Sequence, residues 1–232
     1  MSETETKVPT CIGIIMDGNR RWAKARGLSS AEGHVAGYEK FKEVLGWIRT
    51  AHIPYAFIYA LSSENWKREK GEVDHLMNLF RLLADEFKQE RAEGKQHGVR
   101  MRFVGDLTRF PPDIQQSMRE IEELTAHEKV HTLGLAVSYG GREEILRATQ
   151  VLVREGGEVT EERFSQALWG AGIPDPDLII RTGGEKRLSN FLPWQSVYSE
   201  LFFLDTYWPD FSKEDFNAVL LEFERRTRNF GA

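Results

Sequence analysis

Short apolar runs and longer amphipathic stretches alternate along the chain. The short runs are rich in Val, Ile, Leu and aromatic residues, which is typical of strands that are buried on both faces of a sheet. Six runs of this kind are predicted as strands, at residues 11–16, 55–61, 99–104, 133–138, 178–180 and 201–204.

The stretches between these runs repeat apolar residues at helical spacing. The clearest extends from Glu72 to about Glu93, where apolar residues recur at alternating steps of three and four. Strands that alternate with helices in this way predict an α/β fold with a central, mostly parallel six-stranded sheet flanked by helices. Further helices are predicted to begin near Gly33, Pro111, Gly140, Thr160 and Lys213, the last with Ser212 as its N-cap.

No linker divides the chain of 232 residues. Its eight prolines and twenty glycines are scattered, and neither a repeat nor a low-complexity tract occurs. We therefore expect one domain, residues 11–232, after a disordered N-terminal tail of residues 1–10.

Charge and cysteine content limit the function classes. The net charge of −5 argues against a protein that binds nucleic acid or an anionic membrane through its overall charge, so any anion site must be local. The single cysteine, Cys11, excludes an intrachain disulfide and a cysteine-based zinc site. Because no run of about eighteen apolar residues occurs either, we expect a soluble, cytoplasmic protein.

Polar residues follow the predicted strands at the point where each strand ends. The segment IIMDGNRRWAK, residues 14–24, passes from an apolar strand into Asp17 and then places Arg20 and Arg21 in the first turn of a helix. Cations at that position oppose the helix dipole by about 0.3–1 kcal/mol each, and a bound anion would explain them. Polar residues also follow the other strands, in 62–68 (SSENWKR), 105–106 (GD), 139–142 (YGGR) and 181–190 (RTGGEKRLSN).

The carboxyl ends of parallel strands lie at one edge of a sheet, so these loops should converge. Arginine can hold phosphate oxygens bidentately, and glycine lets backbone N–H groups approach the same oxygens. Asp17 would be repelled by phosphate unless a cation lay between them, and Mg²⁺ typically binds one or two carboxylates together with phosphate oxygens. The sequence therefore predicts a magnesium-bridged phosphate or diphosphate site.

Each of these residues also has a purely structural interpretation. Asp17 alone is more typical of a helix cap, and His34 of a histidine at a helix start. Trp22 and Trp66 are of a type that usually packs in a core, and Arg68 of a type that is usually solvated. Neither a GxxxxGK[ST] nor a GxGxxG motif is present. Only the convergence of the loops favours a binding site.

Five segments resemble a known family. They read MDGNRRWAKARG…EGHVAG, YALSSENWKR, VGDLTRFP, SYGGREEI and DLIIRTGGEKRLSNFLPWQSVYSELFF…WPDF. In order and spacing they are similar to the cis-prenyltransferases, the family of undecaprenyl diphosphate synthase. The resemblance runs from about Cys11 to Phe216. It implies a parallel sheet with a hydrophobic product tunnel, and a Mg²⁺-dependent enzyme that joins isopentenyl diphosphate to an allylic diphosphate to make a Z-polyprenyl diphosphate.

The resemblance also implies roles for individual residues. Asp17 would hold Mg²⁺ and act on the diphosphate, and Glu200 would complete the metal site. Asn65 would assist proton removal, with a diphosphate oxygen as the alternative acceptor. The allylic diphosphate would lie on Gly18, Asn19, Arg20 and Arg21, with Trp22 and His34 lining the same site. The reaction centre would be shaped by Ser62, Ser63, Glu64, Trp66 and Arg68, and isopentenyl diphosphate would be bound by Arg181, Arg187, Leu188 and Ser189.

A hydrophobic tunnel should shelter the growing product. In the family, the helix after the NW motif lines this tunnel, and Ala60 and Leu133 lie where family members adjust product length. On this chain the corresponding helix carries an apolar stripe of Val73, Leu76, Phe80, Leu83 and Phe87.

Two alternatives to elongation remain. Ser30 stands where many relatives have an arginine for the allylic diphosphate, and a few relatives couple two dimethylallyl diphosphates in an irregular, head-to-middle manner. A non-catalytic partner subunit of a heteromeric prenyltransferase is the second alternative, although such subunits typically lack the first-strand aspartate and the NW motif. The resemblance also implies a homodimer, with residues 198–211 in the interface. We expect no nucleic-acid partner and at most transient membrane contact.

Overall fold

The computed structural model describes residues 8–94 and 98–226. Within these ranges the strands are β1 (Cys11–Ile15), β2 (Tyr55–Tyr59), β3 (Val99–Val104), β4 (His131–Ala136), β5 (Leu178–Arg181) and β6 (Glu200–Phe203). The helices are α1 (Asn19–Ala25), α2 (Ser30–Thr50), α3 (Lys70–Ala92), α4 (Pro112–Thr125), α5 (Gly141–Glu155), α6 (Glu161–Ala167) and α7 (Lys213–Arg225).

The six strands form one sheet in the order β3-β4-β2-β1-β5-β6. Every pair of neighbours is parallel, and Ile12 of β1 lies opposite Ala56 of β2 and Leu178 of β5. The predicted α/β architecture is therefore confirmed. The carboxyl ends of the strands all lie at the same edge of this sheet, and that arrangement decides where the site forms.

Helix α2 begins earlier than its apolar pattern predicts. The Ser29 hydroxyl accepts from the backbone N–H of Glu32 at 3.2 Å, and the Glu32 carboxylate accepts from the backbone N–H of Ser29 at 2.8 Å. This reciprocal capping box starts the helix at Ser30 rather than near Gly33. The same kind of pair, with Asp215, confirms Ser212 as the N-cap of α7.

Side chains from both faces of the sheet are buried. On β1, Ile12 and Ile14 belong to a large apolar core shared with α2, α3, α4 and α7. Cys11 and Ile15 point to the opposite face and join a smaller core that includes Phe57. Burial on both faces explains why the strands are near-continuous apolar runs.

The first described residues lead directly into β1. Residues 1–7 of the predicted tail lie outside the described ranges, so the disordered tail stays a prediction. Thr10 donates its backbone N–H to the Asp177 carboxylate at 2.6 Å, which links the start of β1 to the residue before β5. None of the helices within 8–94 and 98–226 combines the length and apolar character needed to cross a membrane.

Candidate active site

The loops at the carboxyl edge of the sheet surround a large cavity. Its volume is about 1410 Å³, and its walls come from the ends of β1, β2 and β5 and from α1, α2 and α3. One part of the wall is polar and the other is apolar. The predicted site residues on the polar part are Asp17, Gly18, Asn19, Arg20, Arg21, His34, Ser62, Glu64, Asn65, Arg68, Arg181, Arg187 and Ser189.

Asp17 lies between two arginines at this edge. Its Oδ1 accepts from Arg21 Nη2 at 3.0 Å and its Oδ2 accepts from Arg181 Nη2 at 2.8 Å. The interpretation of Asp17 as a helix cap is wrong, because the N-cap of α1 is Gly18 and no side chain caps the helix. Gly183 lies beside this pair with φ 87°, a conformation that favours glycine, and a Cβ there would lie 3.1 Å from the backbone oxygen of Asp17.

Arg181 holds the β5 loop as well as Asp17. Only 5% of its side chain is exposed. Its Nη1 donates to Ser189 Oγ at 2.8 Å and to the backbone carbonyl of Arg187. The buried guanidinium therefore fixes the loop that carries Arg187, whose own side chain is 61% exposed and pairs with Glu185. An exposed arginine beside a fixed one is suited to reach for an anionic group in the cavity.

Helix α1 packs closely on α2 through two glycines. A Cβ on Gly33 would lie 2.5 Å from the backbone oxygen of Asn19, and one on Gly37 would lie 2.5 Å from Asn19 Oδ1. The Asn19 Oδ1 atom is buried without a hydrogen-bond partner. The first turn of α1 contains no acidic residue, so the acidic partners of Arg20 and Arg21 lie outside the helix, at Glu72 for Arg20 and at Asp17 and Glu185 for Arg21.

Glu72 joins three predicted site residues on the α3 side. It accepts from Arg68 Nη1 at 2.8 Å, and its carboxylate lies 3.8 Å from Arg20 Nη1 and 3.9 Å from His34 Nε2. Burial, followed by the nearby Arg68 cation, lowers the pKa of His34 to about 4 despite the opposing effect of Glu72. His34 is therefore neutral near pH 7.

The loop after β2 is fixed by its own polar groups. The backbone N–H of Ser62 donates to Asn65 Oδ1 at 3.0 Å, and Asn190 Nδ2 donates to Glu64 Oε1 at 3.0 Å. Partial burial opposes ionisation of Glu64, but hydrogen bonds from its own backbone and from Asn190 bring its pKa below the usual range. Glu64 is thus an anion that connects the β2 loop to the β5 loop.

Two predicted tryptophans lie outside the cavity wall. Trp22 donates from Nε1 to Asp210 at 2.7 Å and stacks under Arg26, on the outer side of α1. Trp66 donates to Ser138 Oγ at 2.9 Å and packs in the large core. Both hold neighbouring elements together, and neither lines the cavity.

Ser63 and Leu188 are likewise absent from the cavity wall. The backbone N–H of Ser63 donates to the carbonyl of Tyr139 at 2.8 Å, which joins the β2 and β4 loops. Leu188 packs against the smaller core. These two residues support the loops rather than face the cavity.

The structure does not bring Glu200 to Asp17 within one chain. Glu200 is the first residue of β6 and is level with Leu178, the first residue of β5, whereas Asp17 follows the opposite end of β1. At about 3.3 Å per residue, the length of β5 alone separates the two levels by about 10 Å. Glu200 accepts instead from Arg226 Nη1 at 2.7 Å.

The donor set at Asp17 fits Mg²⁺ only with help from a ligand. Within residues 8–94 and 98–226, no group of three or more His, Cys, Asp or Glu side chains is placed to hold a metal ion. Mg²⁺ prefers oxygen ligands, keeps several waters and is commonly bound by one or two carboxylates plus phosphate oxygens. A single carboxylate that opens on a cavity lined with arginine is compatible with that mode of binding.

Several wall residues were not predicted. Ser30, which the family resemblance already places at the allylic diphosphate, lies on the polar part of the wall, and so does Lys24, which was not predicted. Asn190 does too, and its left-handed backbone (φ 67°) turns the loop so that its amide meets Glu64. The SN pair in the β5 loop was the available sequence signal, because asparagine tolerates this conformation best after glycine. Tyr38 has no such signal, since on α2 it resembles any core aromatic.

The apolar part of the wall confirms most of the predicted stripe on α3. Leu76, Phe80 and Leu83 line the cavity together with Ala60 of the β2 end. A second cavity of about 230 Å³ lies farther along the sheet, toward the amino ends of the strands, and Leu83, Phe87 and Leu133 line it. Val73 lines neither cavity.

Known proteins resemble this chain over nearly its whole length. A family model for undecaprenyl diphosphate synthases, Prenyltransf, matches residues 15–231. An isoprenyl transferase of Aquifex pyrophilus is 45% identical over 97% of this chain and 96% of its own. A tritrans,polycis-undecaprenyl-diphosphate synthase (geranylgeranyl-diphosphate specific) of Thermoplasma acidophilum is 44% identical over 96% of this chain and 89% of its own.

A solved structure shares the fold closely. The lavandulyl diphosphate synthase of Lavandula x intermedia, in complex with dimethylallyl diphosphate, superposes with a TM-score of 0.92 and is 33% identical, over 97% of this chain and 99% of its own. The family model covers almost the whole chain, and the fold agrees with it. The chain is therefore a member of the undecaprenyl diphosphate synthase family of cis-prenyltransferases, a family of prenyltransferring enzymes.

Proposed function

We propose that the protein elongates an allylic diphosphate with isopentenyl diphosphate in a Mg²⁺-dependent reaction and releases a Z-polyprenyl diphosphate. The observation that carries this proposal is the division of a single cavity wall, with arginines at the sheet edge and an apolar lining toward α3. A diphosphate with a hydrocarbon tail matches this wall, because it also has a charged part and an apolar part. The tail would lie along Leu76, Phe80 and Leu83.

Two diphosphates would occupy the two groups of arginines. Arg20 and Arg21, with the backbone of Gly18 and Asn19, suit the allylic diphosphate on the α1 side. Arg187 and Ser189, held in place by Arg181, suit isopentenyl diphosphate on the β5 side. His34 is neutral at this site, so it would donate or accept a hydrogen bond without adding charge.

The reaction needs stabilisation of a leaving group rather than a strong nucleophile. The allylic C–O bond breaks and its electron pair leaves with the diphosphate, the double bond of isopentenyl diphosphate forms the new C–C bond, and one proton is then lost. Arginines fixed around the leaving oxygens stabilise the charge where it develops. Mg²⁺ held by Asp17 would add Lewis-acid stabilisation of the same charge. Asn65 or a diphosphate oxygen would take the proton.

A homodimer would explain the position of Glu200. Glu200 can contribute to the metal at Asp17 only from a second copy of this chain. Within one chain, the two residues lie at opposite ends of the parallel strands. β6 is an edge strand of the sheet. Leu201 on this strand, and Val197 and Tyr198 just before it, are exposed large apolar residues. An apolar sheet edge of this kind favours pairing with another chain.

Irregular coupling of two dimethylallyl diphosphates is a second candidate. The similarity to lavandulyl diphosphate synthase, at a TM-score of 0.92, favours it, as does Ser30, which lines the cavity where an arginine is common in the family. Elongation is favoured instead by the apolar part of the cavity wall, which continues along about two turns of α3 from Leu76 to Leu83.

Product analysis tests the proposal. Purified protein with Mg²⁺ and isopentenyl diphosphate would be given dimethylallyl, geranyl, farnesyl or geranylgeranyl diphosphate, and the dephosphorylated alcohols sized by chromatography. We expect a series of alcohols that ends at one length, with Z geometry, and its loss with EDTA. Arg181→Ala provides an inactive comparison from the same cavity.

The other outcomes distinguish the alternatives. A product formed from dimethylallyl diphosphate without isopentenyl diphosphate would replace elongation by irregular coupling. No product with any primer would favour a non-catalytic partner subunit. Full activity in EDTA would contradict the Mg²⁺ requirement alone.

A further inference from the structure

The two cavities beside α3 share one short piece of wall. The larger cavity opens at the carboxyl edge of the sheet, and the smaller one lies toward the amino ends of β2, β3 and β4. Tyr38, Phe41 and Leu83 line both cavities. These three residues therefore form the partition between the site cavity and the distal cavity.

Tyr38 differs from the other two residues because a polar contact holds it. Its hydroxyl donates to Glu86 Oε2 at 2.5 Å, which ties α2 to α3 across the partition. Lys42 donates to the same carboxylate oxygen at 3.3 Å and lies over the Tyr38 ring, 4.7 Å from its centre. Lys42 is also paired with Glu39 at 3.0 Å. The Tyr38 ring is thus held between α2 and α3 by the Glu86 carboxylate and the Lys42 ammonium group.

The polar groups around Tyr38 keep it a neutral donor. Burial, then the hydrogen bond to Glu86 and the charge of that carboxylate, raise the pKa of the Tyr38 phenol well above its usual range. A hydrocarbon chain that passed the partition would have to displace the ring and separate the hydroxyl from Glu86. Polar groups that lose their partner and face hydrocarbon are unfavourable.

We propose that Tyr38, held by Glu86, is the gate that ends growth of the product. This inference rests on the proposed function. The growing chain fills the apolar part of the site cavity until it meets the Tyr38 ring, and the distal cavity stays outside the product's reach. Tyr38 acts here as a specificity-determining residue, because it sets product length without touching the reacting atoms.

Gly46 provides a matched probe of the distal cavity. It lies on α2 two turns beyond Tyr38 and lines the distal cavity only. Gly46 is exposed, and a Cβ built on it meets nothing within 4 Å, so a larger side chain can be added on the solvent side of that cavity. Replacing a helical glycine also favours the helix. Gly46→Leu should therefore narrow the distal cavity in a folded protein.

The test measures the final product length of five proteins with the same primer and Mg²⁺: wild type, Tyr38→Ala, Tyr38→Phe, Gly46→Leu and Tyr38→Ala/Gly46→Leu. We expect Tyr38→Ala to lengthen the product by one or more isoprene units. Tyr38→Phe, which keeps the ring but loses the hydrogen bond, should shift the distribution in the same direction by less. Gly46→Leu alone should leave the length unchanged, and the double variant should return it toward the wild-type length.

Two results would overturn the gate. An unchanged product from Tyr38→Ala would show that the ring does not limit growth, and if that variant does not fold, an unchanged product from Tyr38→Phe would do so for the hydrogen-bonded gate. A shorter product from Gly46→Leu in the wild-type background would show that the chain already enters the distal cavity. A wild-type protein without product from any primer would instead refute the proposed function, and the gate with it.

Discussion

Arg181 and Asp17 are joined at 2.8 Å although 164 residues separate them in the chain. The contact connects the end of β5 to the end of β1, which are neighbouring parallel strands. Arg21 binds the other oxygen of the same carboxylate. One carboxylate with a single negative charge is thus shared by two guanidinium groups. If Mg²⁺ binds Asp17 as proposed, Arg21, whose side chain is 41% exposed, can turn toward a diphosphate, while Arg181 stays tied to the β5 loop.

The first prediction concerns that carboxylate. Asp17→Asn keeps an oxygen for the arginines but removes the charge that a metal ion needs. If Asp17 supplies the metal, the loss of transition-state stabilisation should be about 4 kcal/mol, or about a thousandfold in kcat. Steady-state turnover with saturating Mg²⁺ measures it. Asp17→Ala should be at least as inactive, with a cooperative unfolding transition.

Asp210→Asn is the matched control for Asp17. Asp210 also accepts from an arginine and from Trp22, but it lies outside the cavity wall. Its variant should keep kcat within a few-fold of wild type. Turnover of Asp17→Asn within the same few-fold range would remove Asp17 from the metal site.

The sequence predicted the polar edge of the site because the ends of the strands can be recognised from where the apolar runs stop. Asp17 and Arg181 each end an apolar run, and parallel strands place such residues at one edge. Glu200 precedes its apolar run, 201–204, and the same rule would have placed it at the opposite edge. The role predicted for Glu200 came from the family resemblance, and the position of the residue relative to its strand means that this role would need a second copy of the chain.

Side-chain direction was less predictable. Trp22 and Trp66 adjoin residues that line the cavity, yet they turn away to Asp210 and Ser138. Adjacent positions on a helix or turn differ in direction by a large angle, and the partners that decide between them lie far away in the chain. The contact between Glu72 and Arg20 was unpredictable for the same reason. It joins α3 to α1, and hydrophobic periodicity does not show which helices pack together.

The second prediction concerns the packing of α1 on α2. Gly33→Ala places a Cβ 2.5 Å from the backbone oxygen of Asn19 and 2.9 Å from the Cβ of Ala23. Backbone cannot yield as a flexible side chain does, so α1 should shift, at a cost of about 1–3 kcal/mol in the free energy of unfolding. The shift should also raise KM for the allylic substrate, because α1 carries Arg20 and Arg21.

Gly46→Ala separates this effect from helix propensity. Gly46 lies on the same helix, and its Cβ would meet nothing within 4 Å. This variant should be more stable than wild type by up to about 1 kcal/mol, with unchanged KM. Urea denaturation and steady-state kinetics on both variants measure the contrast. A Gly33→Ala protein as stable as Gly46→Ala would contradict the close packing.

The third prediction concerns the pH dependence of stability. His34 has a pKa of about 4 in the folded protein and about 6.5 when unfolded. Because the unfolded state binds the proton more readily, the folded state loses stability as pH falls from about 6.5 to 4, by up to about 1.4 kcal/mol per pH unit. His34→Asn cannot take up this proton. Its stability relative to wild type should therefore improve steadily as pH is lowered through that range.

Free energies of unfolding at several pH values between 7 and 4.5 measure this difference. Other titrating groups affect both proteins alike and cancel. His127→Asn, at a side chain that is 70% exposed, is measured in parallel as the surface comparison. A constant difference between His34→Asn and wild type would mean that His34 titrates at its ordinary value.

The last prediction concerns Ser30, which lines the cavity at the first turn of α2. Ser30→Arg would add a guanidinium to the wall that holds Arg20, Arg21 and Lys24. If the allylic diphosphate lies there, a new charge-assisted hydrogen bond should contribute about 1.5–3 kcal/mol and lower KM for a longer allylic primer about tenfold or more. The added cation at a helix N-terminus should cost about 0.3–1 kcal/mol in stability.

Ser30→Gln is the control for the charge of this side chain. It is similar in reach but neutral, so it should lower KM much less. An equal KM for the Arg and Gln variants would place the allylic diphosphate away from Ser30, and with it the irregular-coupling candidate would lose its support from this residue.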